Sequence, residues 1–73
     1  MNLYEIEQMI RYEQGELDTR ETVKLFALLI KSGMAWSLQG FYSRAAKQFI
    51  DAELIDNNGV INEQNLTEII EGA

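Results

Sequence analysis

Carboxylates are the most numerous reactive groups in this chain: twelve Asp and Glu stand against six Lys and Arg, with no His and no Cys. Without imidazole or thiolate there is no side chain that titrates near neutral pH unaided and no soft metal ligand, which excludes structural zinc and thiol nucleophiles. The pairs Glu5 with Glu13 and Asp51 with Asp56 are the candidates for acid–base work. Each member falls at a cap, on a polar face or in a turn, where no apolar wall lifts a carboxyl pKa toward neutrality. The run Asp56-Asn57-Asn58-Gly59 resembles part of a calcium loop. With Gly59 at the sharply turning sixth position, Asp56, Asn58 and Ile61 fall acceptably, but the first and twelfth positions are Leu54 and Asn65. The two carboxylates that dominate affinity in such loops are therefore missing. No nucleophile elbow and no glycine-rich phosphate loop occurs. The expectation is a binding protein with no enzyme activity, no cofactor and no metal.

Charge is segregated along the chain. Residues 1–21 hold six acids and two bases, residues 22–50 four bases and no acid, and residues 51–73 six acids and no base, for a net −6. Helix-terminal bias accounts for part of this, with Glu5 and Glu21 in first turns and Lys31 in a last turn. The sharper expectation is that Lys24, Lys31, Arg44 and Lys47 form one patch for an anion or for an acidic surface on a second copy.

Seventy-three residues make one domain, 1–73, with one modest core. With disulfides and zinc excluded, self-association is the remaining source of extra stability, and a homo-oligomer is expected. The absence of Cys points to a reducing cytoplasm. No secretory-signal pattern opens the chain. The longest apolar run, Leu25 to Ile30, is six residues, far short of the roughly 20 that span a bilayer.

Caps and glycines divide the proline-free chain into four helices, so the fold class is all-α: a small bundle of three to four short helices with a central helical hairpin. Asn2 with Glu5 and Asp18 with Glu21 have capping-box spacing. The first opens a helix over about 3–14 whose stripe Leu3, Ile6, Met9, Ile10 should face the core. The second opens a helix from Thr19 to Ser32, closed by Gly33 in the left-handed C′ position. Leu25 to Ile30 is apolar on all sides, so helix two should be the most buried. Ser37 is the expected third N-cap, with Trp36 and Phe41 stapled across it and Leu38, Phe41, Tyr42, Ala45, Phe49 and Ala52 forming the buried stripe. Around Asp56 to Gly59 a loop between helices is expected in preference to a hairpin with two residues a side. Asn62 caps a last, peripheral helix over about 62–71.

Three readings of the central segment follow. In the first, a protein partner docks on a face built from Trp36, Gln39, Gly40, Tyr42, Arg44 and Lys47, where aromatic, small and basic residues concentrate. In the second, residues 22–50 are a helix-turn-helix whose third helix offers Gln39, Ser43, Arg44 and Lys47 to nucleic acid; the acidic flanks disfavour it. In the third, the backbone amides of Ser37 to Gly40 with Arg44 hold a small anion or nucleotide. Tyr4 and Tyr12, off the Leu3–Ile6–Ile10 face, are further interface candidates.

The stretch Gly33-Met34-Ala35-Trp36-Ser37-Leu38-Gln39-Gly40-Phe41-Tyr42-Ser43-Arg44-Ala45-Ala46 resembles a widespread group of very short bacteriophage proteins with a shared core of Trp, any, Leu, Gln, Gly, any, Tyr, Gly, Arg. The similarity extends to Tyr12-Glu13-Gln14-Gly15-Glu16-Leu17 upstream and Phe49-Ile50-Asp51-Ala52 downstream, covering about residues 5–55. Here Ser43 and Glu53 stand where the group has glycine. The resemblance implies a small accessory protein of a phage, acting in the host cytoplasm on a host or phage protein.

Overall fold

A computed structural model describes residues 2–72. Four helices follow in order: α1 (Leu3–Glu13), α2 (Thr19–Ser32), α3 (Gly40–Asp51) and α4 (Glu63–Gly72), with a 3₁₀ turn, Met34–Trp36, between α2 and α3. The chain is a small all-α bundle with α2 at its centre, contacting α1, α3 and α4.

The local signals that open and close α2 act as their chemistry requires. The Glu21 amide donates to the Asp18 carboxylate at 2.8 Å and the Asp18 amide donates to the Glu21 carboxylate at 3.0 Å, a reciprocal capping box. Gly33 closes the helix at φ +81°. Val23, Leu25, Phe26, Ala27, Leu29 and Ile30 are buried, and Leu28 alone of the apolar run faces outward. An aromatic column fills the centre: the Phe26 ring lies 5.3 Å from Tyr12, 6.0 Å from Tyr42 and 5.1 Å from Phe49.

Two expectations are corrected. First, Ser37 does not cap α3. Met34 to Trp36 closes its own 3₁₀ turn, the Ser37 amide donating to the Met34 carbonyl, so α3 starts two residues later than expected, behind Gln39, whose side chain makes no capping bond. Trp36 and Phe41 are exposed and do not staple the helix start, Ala52 is exposed as well, and the buried residues of α3 are Tyr42 and Ala46. Second, α1 faces the other way. It has no fully buried residue; Met9 and Tyr12 pack on the core, while Leu3, Ile6 and Ile10 are 70%, 42% and 51% exposed. The last helix, α4, meets the rest of the bundle at one buried side chain and a few polar contacts. Leu66 is fully buried, the Asn65 amide group donates to the Glu53 carbonyl at 2.9 Å, and Asn62 caps the helix by accepting from the Asn65 amide at 3.0 Å.

The connection between α3 and α4 is a minimal hairpin. Ile55 and Ile61 form an isolated antiparallel bridge, with the Asp56 amide donating to the Val60 carbonyl and the Asn62 amide to the Leu54 carbonyl. The Asp56 carboxylate accepts from the Asn58 and Val60 amides at 2.8 and 2.9 Å, so this acid shapes the turn.

The end of α3 departs from helix-stop chemistry in an instructive way. The Glu53 amide donates to the Ile50 carbonyl and the Leu54 amide to the Phe49 carbonyl, the paired bonds of a Schellman motif. Its left-handed residue is Glu53, at φ +60°, the one non-glycine with positive φ among the described residues. A side chain in that conformation costs about 1–2 kcal/mol. Glu53→Gly is therefore expected to raise stability by about 1 kcal/mol, part of the relief being offset by the greater entropy of glycine in the unfolded chain. A variant with an unchanged or lower urea midpoint would contradict this.

Candidate functional site

The structure divides the six residues of the candidate face into one that lies inside and five that lie outside. Tyr42 is 2% exposed. Its hydroxyl donates to the Glu13 carboxylate, and burial, aided by that carboxylate, pushes its ionisation well above the ordinary tyrosine range. It fastens the start of α3 to the end of α1 and is a support for the face, not part of its surface. The sign of the pH effect follows: a pKa raised on folding gives stability that is complete below the unfolded value near 10 and is lost as pH rises further. An alkaline titration at 295 nm should show one tyrosine ionising only as the chain unfolds, and Tyr42→Phe should abolish that coupled step while costing about 1 kcal/mol at neutral pH through the lost hydrogen bond.

Trp36, Gln39, Gly40, Arg44 and Lys47 are all exposed. The backbone that carries Trp36 is tied down: Ala35 beside it is fully buried, and the Trp36 amide donates to the Gly33 carbonyl. Phe41, expected in the buried stripe, is exposed instead and stacks its ring 4.4 Å from that of Tyr42. One turn on, Arg44 folds back over Gly40, where a Cβ would come 2.9 Å from a guanidinium nitrogen. The small residue thus makes room for the arginine rather than for another helix. Lys47 pairs with Asp51 at 3.6 Å on the same exposed flank, a contact worth little in open solvent.

The four bases do not make one patch. Lys24 and Lys31 line a shallow groove of about 280 Å³ with Tyr4, Ala27, Leu28, Gly59 and Ile61, and no residue of α3 borders it. The reason is the orientation of α2, which turns Phe26 and Leu29 into the core and so sends Lys24, Leu28 and Lys31 to the opposite side. α3 therefore carries two of the four bases on what would be its recognition face. The pairs considered for acid–base work are also dispersed: Glu13 serves Tyr42 and Asp56 serves its own turn. Among the described residues no group of three or more His, Cys, Asp or Glu converges to hold a metal ion, and no helix is long and apolar enough to cross a membrane.

A second apolar surface is invisible to sequence reasoning. The Leu3–Ile6–Ile10 stripe of α1 is exposed, and Tyr12, a further interface candidate, is partly buried against the core. The exposed apolar residues do not reflect loose packing, because the accessible surface of 4739 Å² is close to the roughly 4600 Å² expected of a compact monomer of this mass.

These features define a compact all-α domain with aromatic, aliphatic and basic side chains on its surface. By sequence, residues 4–71 match the family described as Domain of unknown function (DUF7417), and the chain belongs to that family. No curated protein and no solved structure matches it.

Proposed function

We propose that this protein is a non-enzymatic helical interaction module that docks another protein on the surface around Trp36, Gln39, Phe41, Arg44 and Lys47. The observation that carries this reading is the exposure of Trp36, 51%, on a backbone turn closed by hydrogen bonds next to buried Ala35. A large exposed aromatic on an ordered turn offers apolar area to a partner, and Trp and Arg dominate the energetics of protein interfaces. The resemblance of the Trp36 to Ala46 stretch to short bacteriophage proteins supports a role as a phage accessory protein acting in the host cytoplasm on a host or phage protein.

Site-specific photocrosslinking in cells tests the reading. A photoreactive residue at position 36 or 39 is expected to give a discrete protein adduct, and the same residue at exposed Asn57, in the turn between α3 and α4, none. Equal adducts at all three positions, or none at 36 and 39, would remove this surface from consideration.

A further inference from the structure

The charge segregation of the chain and the reversed orientation of α1 together suggest what docks on this surface. We propose that its partner is a second copy of the chain, which supplies the outer side of α1. This rests on the reading that the Trp36–Arg44 surface is a protein-docking face, and names its occupant.

Leu3, Ile6 and Ile10 recur at i, i+3 and i+7, the spacing of a seam that packs against another apolar surface. All three are exposed, at 70%, 42% and 51%. Exposed Glu7 lies on the same outward half of the helix, and Arg11, the one base of α1, is turned toward Glu16 and Glu21 at 3.8 and 3.6 Å. The outer side of α1 is thus apolar and acidic. The surface at the start of α3 is its complement, apolar through Trp36 and Phe41 and basic through Arg44, Lys47 being paired with Asp51. Two α1 helices meeting each other would instead set acid against acid.

The Tyr42–Glu13 hydrogen bond joins the end of α1 to the start of α3, so the two faces occupy neighbouring parts of one molecule and one copy offers both to the next. Net charge does not forbid the pairing. Repulsion between two chains of −6 is screened beyond about 8 Å at physiological ionic strength, whereas the paired side chains would be in contact. Complementary local charge then sets which surfaces meet.

The test is a charge exchange read by sedimentation velocity over a hundredfold concentration range. Wild type should show mass rising above the monomer with concentration. Glu7→Lys alone and Arg44→Glu alone should each weaken association about tenfold, a usual effect for a close interfacial charge, and an equimolar mixture of the two variants should regain it because each then carries a face complementary to the other. Both positions are exposed, so circular dichroism should be unchanged. A wild type that stays monomeric, single variants that associate like wild type, or a mixture that fails to recover would each overturn the proposal. The docking reading fails separately: a monomer that still crosslinks a foreign protein through position 36 retains the surface and loses only this partner.

Discussion

Gly59→Ala is expected to lower stability by about 2–4 kcal/mol, out of a total of roughly 4–11 kcal/mol for a chain of this length. Two independent constraints meet at this residue. Its φ is +81°, which costs a side chain about 1–2 kcal/mol. A Cβ there would also come 2.6 Å from the Ala27 carbonyl oxygen and 2.8 Å from the Lys31 amide nitrogen. Both atoms belong to the backbone of α2, which cannot yield as a flexible side chain would, and overpacking of this kind costs about 1–3 kcal/mol. Gly15→Ala supplies the control, since Gly15 has a similar φ of +73° but a Cβ there would meet nothing within 4 Å. Urea unfolding should place Gly59→Ala well below Gly15→Ala; equal midpoints would mean that the hairpin does not sit tightly on α2.

Leu66→Ala is expected to cost about 2–4 kcal/mol, within the usual range for a buried leucine. Leu66 is the single fully buried side chain of α4. The other ties of that helix to the body, the Arg20–Glu63 pair at 3.2 Å and the Asn65 bond to Glu53, are exposed polar contacts that contribute little alone. Its removal should therefore release α4 before the rest unfolds, seen as a smaller denaturant slope together with a lower midpoint. Ile69→Ala should cost less than about 1 kcal/mol, because that side chain is 45% exposed beside the start of α2. If the two substitutions cost the same, α4 is not anchored at Leu66.

What is legible in the sequence and what is not follows the range of the interactions involved. Asp18 with Glu21, Asn2 with Glu5 and Gly33 act on backbone within four residues, so the limits of α1 and α2 can be read directly. The start of α3 cannot, because Ser37 is a good cap on paper while a 3₁₀ turn closed by Met34 competes for the same residues. Periodicity marks the Leu3–Ile6–Ile10 stripe correctly as one face but carries no information on which way a helix turns. That is decided by Tyr12 fitting against Phe26 and Tyr42, both distant in the chain, and burial of the aromatic rings outweighs that of the aliphatic stripe. The depth of α4 is hard to read because one anchoring leucine, Leu66, gives little pattern in so short a helix. The left-handed stop at Glu53 shows tertiary context overriding residue preference: the hairpin beyond it docks on α2 and holds the chain in a turn that glycine would adopt more easily.

The placement of the single tryptophan also sets how this molecule reports on itself to a spectroscopist. Trp36 is half in water while the chain is folded, so its emission should shift little when urea unfolds the domain, and a flat fluorescence trace would not mean a stable protein. The ordered rings of Tyr12, Phe26 and Tyr42 make near-ultraviolet dichroism the informative signal for folding. The same exposure makes tryptophan emission sensitive to anything that covers the start of α3, giving one optical channel for assembly and a separate one for the core.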